Sequence, residues 1–340
     1  MGRKTRQNRI VSQELIDQVN PQNMQLMKEF LRYMKSVQRS PNTVEAYEND
    51  LKIFMVWCLQ NAGNKFFIDL KIRDFVNFQA YLQEDNENSP ARIRRIKATV
   101  SSFSNVIELL YSDEYPTFRN LIKKVESPVN TPVREKTVMT DEQIDALLRH
   151  FSDRGEHEKA CCFALAAYSG RRKSELFRYK VSDFADDHIV FGTLYRSDPI
   201  QTKGRGKNGK MLTCYTLAAP FKPYFDAWMQ QRAERGIESQ WLFPDPTDPS
   251  RARGADSMNS WVRQASNILG IDVYAHSFRH RACTRLAEAG LPDDVIKSLF
   301  GWQSIDLVSV YKDIDPITDL AKYFQDGEIV AQKSVSVSDL

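Results

Sequence analysis

Three short stretches in the C-terminal half of this chain carry residue types suited to chemistry on an oxyanion. Gly170-Arg171-Arg172-Lys173-Ser174-Glu175-Leu176 places basic residues at the start of a helix, directly after the apolar stretch Phe163 to Tyr168. The free N–H groups of a helix N-terminus, with a guanidinium beside them, form a natural phosphate site. In His276-Ser277-Phe278-Arg279-His280, a helix would put His276 and Arg279 on one face, three residues apart. An imidazole and a guanidinium converging on one spot suit a bound oxyanion, because their charge is too costly for a dry core. Gly301-Trp302 then precedes Tyr311, which lies on a short amphipathic stretch. Taken singly, each feature has a plainer explanation. A basic turn can be solvated, a histidine can be a hydrogen-bonded structural group, and a Trp or Tyr can be core.

The elements that must position these residues follow from periodicity. Met24, Met27, Phe30, Leu31 and Met34 recur at helical spacing. Ser40-Pro41 opens a second helix with apolar stripe Val44, Tyr47, Leu51, Phe54 and Trp57, proline being suited to a first turn. A third helix is predicted near Ile72 to Leu82, and a fourth from Ser89-Pro90 through Val100, Phe103, Val106 and Leu110. Ser127 to Val138, with two prolines and little periodicity, reads as an extended linker. Thr140-Asp141-Glu142-Gln143 is a capping box that opens a second domain. There, helices are predicted at 141–152, 159–169 and 173–180, and strands at Ile189–Leu194 and Met211–Leu217. A polar Gly/Lys hairpin tip spans Thr202–Lys210, followed by helices near 221–235, 256–269, 276–289, 292–299 and 304–311. The expected organisation is a basic flexible arm (1–20), a helical domain (21–126), a linker (127–138), a second domain (139–324) and a flexible tail (325–340).

Composition narrows the class. With 42% hydrophobic and 27% charged residues, the 340-residue chain reads as an ordinary soluble globular protein of two domains. It lacks an apolar run of about 18 residues, so no transmembrane helix is expected. The basic start (Arg3, Lys4, Arg6, Arg9) lacks the apolar run of a signal peptide. The five cysteines show no metal-type spacing, and a reduced cytosolic chain is expected. The net charge of +3 does not by itself indicate nucleic acid. The informative feature is the clustering of basic residues at 3–9, 92–97, 171–173 and 203–210.

The ordered set Arg172, Lys203, His276, Arg279, Trp302, Tyr311 resembles the active site of the tyrosine recombinases, the phage-integrase family. Tyr168-Ser169-Gly170-Arg171-Arg172-Lys173-Ser174-Glu175-Leu176 is similar to the family's Tyr-Thr-Gly-Leu-Arg-x-Ser-Glu-Leu. His276-Ser277-Phe278-Arg279-His280 is similar to His-x-Leu-Arg-His, and Leu299-Phe300-Gly301-Trp302 to Leu-Gly-His, with Trp for His as in Cre-like members. Ser40, Thr43, Tyr47, Asp50, Leu51 and Phe54, and Arg95 with Ala98, Val100 and Phe103, resemble the core-binding domain. The resemblance covers roughly residues 24–324. One departure stands beside the first arginine, where the family's Leu is Arg171; the match of Ser174 and Glu175 favours Arg172 as the family's arginine.

The resemblance implies a mainly α fold with a small β-sheet: a SAM-like helical core-binding domain and an α+β catalytic domain. It implies a site-specific recombinase or integrase that cleaves and rejoins duplex DNA through a 3′-phosphotyrosine, without metal, ATP or other cofactor. Tyr311 would be the nucleophile. Arg172 and Arg279 would clamp the phosphate, His276 and Trp302 would donate to its oxygens, and Glu175 and His280 would support them. Lys203 would be the general acid, with Lys207 and Lys210 on the same hairpin as competitors. Arg92, Arg94, Arg95 and Lys97 would contact DNA. Partners would be a DNA site of paired half-sites and three further protomers, a homotetramer on two sites formed from monomers, with the Ile317–Phe324 helix docked on a neighbour. The expected location is the cytoplasm of a bacterial or phage-infected cell, at the nucleoid and not at a membrane. The alternatives are a non-catalytic DNA-binding protein of this fold and a type IB-like topoisomerase. The sequence shows no carboxylate cluster of the kind that holds paired Mg²⁺, which argues against a two-metal nuclease.

Overall fold

The computed structural model describes residues 11–85, 87–129, 137–202, 209–311, 324–325 and 328–329. The chain divides into two compact units, one of residues 3–135 and one of residues 136–203 and 209–340.

The first unit is helical: α1 (Gln13–Gln18), α2 (Pro21–Ser36), α3 (Pro41–Asn61), α4 (Ile72–Glu84) and α5 (Pro90–Leu110). Helices α2, α3 and α5 each begin with proline after an Asn or Ser whose side chain accepts an N–H of the first turn. This combination satisfies an orphan donor and presets the helical φ. Their apolar stripes meet in an aromatic core, where Phe54 packs against Phe67, Phe75 and Phe78, and Phe103 against Phe30 and Phe67. Helix α1 corrects the expectation of a loose arm over residues 1–20. Ser12 caps it, and Ile16 and Val19 are buried. Residues 1–10, with the four basic side chains of the arm, lie outside the described residues.

The second unit contains α6 (Asp141–Asp153), α7 (His157–Ser169), α8 (Lys173–Leu176), β1 (Ile189–Val190), β2 (Leu194–Arg196), β3 (Ile200–Thr202), β4 (Lys210–Leu212) and β5 (Tyr215–Leu217). The helices α9 (Ala218–Glu234), α10 (Ser257–Leu269), α11 (Ala275–Glu288), α12 (Asp293–Phe300) and α13 (Asp306–Tyr311) follow, with β6 (Phe324–Gln325) and β7 (Glu328–Ile329) last. The capping box holds: Gln143 N–H donates to Thr140 Oγ1 (3.3 Å) and Thr140 N–H to Gln143 Oε1 (3.0 Å). Helix α7 is buried nearly all round, and its alanines and cysteines let α6, α9 and α11 approach closely. A smaller separate cluster of Ala282, Cys283, Ala287, Ile296, Phe300, Trp302 and Val308 joins α11, α12 and α13.

The strands differ from expectation. Ile189–Leu194 is not one strand, because Phe191 and Gly192 both take positive φ and turn β1 back onto β2. Met211–Leu217 is likewise split. β4 pairs with β3, and β5 with β2, in two separate antiparallel sheets. The helix expected over 173–180 is the four-residue α8. Residues 312–323 lie outside the described residues, but Phe324 is in β6, paired with β7, and not in a helix. Of the tail expected from residue 325, Gln325, Glu328 and Ile329 take part in this pairing, and residues 326–327 and 330–340 lie outside the described residues.

Candidate active site

Helix α7 ends at Gly170, whose positive φ of 58° closes the helix. A Cβ there would lie 2.4 Å from the Phe300 ring and 2.9 Å from Ala282, so the turn needs glycine for space as well as conformation. The next two residues then diverge. Arg171 is buried, and its guanidinium donates to the main-chain carbonyls of Leu299 and Phe300. Arg172 caps α8 and remains partly exposed. Its N–H donates to Glu175 Oε2 (3.1 Å), and its Nη1 to Oε1 (2.9 Å) of the same buried carboxylate. Glu175 thus spends both oxygens on orienting Arg172.

Helix α11 supplies the second arginine. Arg279 is 1% exposed, and its Nη1 donates to Gly170 O (2.9 Å). Its guanidinium carbon lies 4.8 Å, 4.9 Å and 5.3 Å from the ring centroids of Phe300, Trp302 and Tyr311, so three aromatic faces hold the cation. Phe300, Trp302 and Tyr311 form a stack, with 4.7 Å and 5.1 Å between successive rings. The stack is set by the end of α12. Gly301 takes φ 65°, its N–H donates to Ser298 O, and Trp302 N–H donates to Lys297 O (3.0 Å). These bonds satisfy last-turn carbonyls and fix where the indole starts. Tyr311 is also held by Thr284 Oγ1, which donates to its carbonyl (3.3 Å).

Four buried donors here meet no acceptor among the described residues: Arg171 Nε, Arg279 Nε, Arg279 Nη2 and Trp302 Nε1, the last three beside the Tyr311 ring. Buried donors are nearly always paired, and an unpaired one is costly. Burial and the neighbouring guanidiniums of Arg172 and Arg171 depress the Arg279 pKa, with Tyr311 and Glu175 opposing. His276, on the exposed side of α11, is still crowded enough that desolvation, then Arg279, Arg172 and His280, hold its imidazole below the ordinary value, with Glu175 opposing. This favours the neutral imidazole, the form that can accept a proton.

Of the residues expected from sequence, Arg279 lies against Trp302 and Tyr311 and within the electrostatic reach of Arg172 and Glu175, and His276 feels Arg172, Arg279 and Glu175. The histidine ring that packs on Tyr311 is that of His280 (4.8 Å). Lys203 and Lys207 lie outside the described residues. Lys210 is exposed on β4, where its carbonyl accepts from Thr202 Oγ1 (2.7 Å). Sequence reasoning missed Phe300 as a platform for Arg279, and the Gly170 carbonyl as its anchor. Among the described residues no three His, Cys, Asp or Glu side chains gather as a metal-ligand set, and no helix is long and apolar enough to cross a membrane.

The basic residues of α5 are not grouped in this way. Asp50 of α3, 0% exposed, accepts from Arg92 Nη1 (2.7 Å), Arg95 Nε and Nη2 (both 3.1 Å) and Thr99 Oγ1 (3.1 Å). Arg94 Nη1 donates to Pro128 O (3.0 Å), and Lys97 Nζ donates to Ser127 Oγ (2.9 Å) and to Val125 O.

Two arginines from different helices and an indole, gathered beside a tyrosine, suit an enzyme that transfers a phosphoryl group through that tyrosine. Residues 137–316, more than half of the chain, match the phage integrase family, and the chain belongs to that family. It is a site-specific DNA recombinase of the tyrosine class. The chain is 24% identical to the tyrosine recombinase XerC of Caldanaerobacter subterraneus subsp. tengcongensis, over 85% of this chain and 83% of that one. It is 21% identical to the TnP I resolvase of Bacillus thuringiensis, over 85% and 95%. Among solved structures, it resembles XerH bound to its difH substrate before cleavage (14% identity, TM-score 0.61, 88% and 95% covered). It also resembles a lambda integrase (75–356) dimer bound to a COC′ core site (13%, 0.62, 85% and 95%). At these identities the structural likeness concerns the fold.

Proposed function

We propose that this recombinase cleaves one strand of a duplex DNA site by attack of Tyr311 Oη on a backbone phosphorus. The P–O bond to the 5′ oxygen breaks as the P–O bond to Tyr311 forms, leaving a 3′-phosphotyrosine and a free 5′ hydroxyl. The observation that carries this reading is the trio of buried, unpartnered donors on Arg279 and Trp302 beside the Tyr311 ring. A nonbridging phosphate oxygen supplies the missing acceptor. Charge growing on that oxygen in the transition state strengthens those bonds where they lower the barrier. Arg172, held by Glu175, completes the clamp. His276, held toward its neutral form, accepts the tyrosine's proton, and Lys203 protonates the leaving 5′ oxygen. The phosphotyrosine keeps the bond energy, so a 5′ hydroxyl from a second strand reverses the step on a new partner.

Solved relatives bound to DNA substrates support a duplex DNA site as the substrate, and the remaining parts of the reading follow from the family resemblance. The substrate is a site of paired half-sites. Four protomers, monomeric when free, assemble on two such sites. The enzyme works in the cytoplasm, at the nucleoid.

A nicked suicide substrate tests the reading, because loss of a short 5′ product traps the covalent link. Wild type should accumulate a protein–DNA adduct. Tyr311→Phe should bind the site normally and trap none. An adduct persisting in Tyr311→Phe would overturn the assignment.

A further inference from the structure

We propose that Arg171 is a positioning residue for strand cleavage. It pins the end of α12 so that Trp302, and through it Tyr311, stands in register with Arg172 and Arg279. The proposal rests on the reading of Tyr311 as nucleophile and adds to it a residue outside the reacting set.

Arg171 is 2% exposed, yet its two hydrogen-bond acceptors are main-chain carbonyls, Leu299 O and Phe300 O (3.5 Å). These are last-turn carbonyls of α12, which lack partners within the helix and carry the negative end of its dipole. A guanidinium fits there because its planar fork can span two neighbouring carbonyls. Its effect is local, because the chain continues from Phe300 through Gly301 to Trp302. Phe300 stacks on Trp302 at 4.7 Å, and Trp302 on Tyr311 at 5.1 Å.

One tripeptide therefore fixes three parts of the site. The Gly170 carbonyl holds Arg279, the Arg171 side chain holds the Trp302–Tyr311 stack, and Arg172 faces Glu175. The apolar leucine usual in the family's sequence pattern is shorter and carries no donor. It could donate to neither carbonyl. In this chain the relative placement of α7 and α12 depends on directional bonds, which set distance and angle more narrowly than apolar packing does.

The test compares Arg171→Leu and Arg171→Lys with wild type in full-length protein carrying 5-fluorotryptophan. The chain has five tryptophans, and Trp302→Phe assigns the Trp302 fluorine resonance. Arg171→Leu is expected to bind a DNA site within a few-fold of wild type. It should form the covalent adduct on the suicide substrate roughly tenfold to 10²-fold more slowly, the scale of a displacement of about 1 Å at a reacting group. Without DNA, its Trp302 resonance should move while those of Trp57, Trp228, Trp241 and Trp261 stay. Arg171→Lys, with one ammonium for the fork, should fall between the two in rate and in resonance position.

Adduct formation at the wild-type rate in Arg171→Leu would overturn the proposal. So would a slow rate accompanied by shifts of all five resonances and a matching loss of stability, since that is a general structural role. Should the leucine variant fail to fold, Arg171→Lys decides: a wild-type rate there overturns the proposal, and an intermediate rate with a displaced Trp302 signal supports it. Tyr311→Phe in the same assay separates the two ideas. An adduct persisting there sinks the nucleophile, while the fluorine spectrum still reports whether Arg171 places Trp302.

Discussion

The basic residues of α5 and Arg279 of α11 all stand out in the sequence, and the structure treats them in opposite ways, whereas Arg281 and Arg285 of α11 pair with Asp141. On α5, Arg92 and Arg95 pair with the buried Asp50, and Arg94 and Lys97 donate to residues 125–128. On α11, Arg279 is more deeply buried than any of these, has one main-chain acceptor, and leaves two donors without a partner among the described residues. A cluster of basic residues therefore has two meanings that sequence does not separate. One is a set of donors used to fix the fold, and the other is a set left open for a ligand. Asp50 makes the difference on α5. On α11 the neighbours are aromatic faces, which hold a cation without consuming its N–H groups.

The largest expected effect sharpens the catalytic side of this contrast. Lys203→Ala should slow cleavage of ordinary DNA by about 10²–10⁴. Most of that rate should return on a 5′-bridging phosphorothiolate, whose thiolate leaves without a proton. Selective rescue of Lys207→Ala or Lys210→Ala in its place would move the acid to that lysine. Next, Trp302→Phe keeps the ring stack and removes one open donor, so adduct formation should fall by roughly 10² while melting changes little. An unchanged rate would show that the indole N–H faces no phosphate oxygen.

On the other side of the contrast, Asp50→Ala removes an acceptor shared by two arginines and the buried Thr99. Urea unfolding should show a loss of about 2–3 kcal/mol, the scale of hydrogen bonds to a charged group. Wild-type stability would mean that the α3–α5 network is ornamental and its arginines free for DNA. The smallest effect is expected from Arg94→Ala and Lys97→Ala. Removing a cation that neutralises a DNA phosphate lowers the slope of log K against log salt by roughly 0.9. Because these side chains already hold residues 125–128, the slope should change by much less. A full step per residue would show that DNA draws them off their present partners.

The parts of the fold legible in sequence are those set by local chemistry. Ser40-Pro41, Ser89-Pro90 and Thr140 with Gln143 each announce a helix start, because cap and first turn lie within a few residues. Helix α1 is not legible, since six residues hold a helix only through the tertiary burial of Ile16 and Val19. The break of Ile189–Leu194 at Phe191 is also hidden, a bulky residue at positive φ being the opposite of what turn chemistry suggests. In the site, residue types and their order can be read, but facing cannot. No local rule turns Arg171 inward to α12 and leaves Arg172 to Glu175. None sets His280 against Tyr311, or gives Asp50 two arginines 42 and 45 positions away.

On the proposed mechanism, the open donors of Arg279 exist for the charge on a nonbridging phosphate oxygen. The most direct test is the cleavage rate of Arg279→Ala on two substrates, one with an ordinary scissile phosphate and one with a neutral methylphosphonate there. The expected loss is about 10²–10³ on the phosphate and far smaller on the methylphosphonate, whose neutral ground state leaves one fewer negative charge to balance in the transition state. An equal loss on both substrates would contradict this role, and would make Arg279 a support for the aromatic stack in place of a partner for the phosphate.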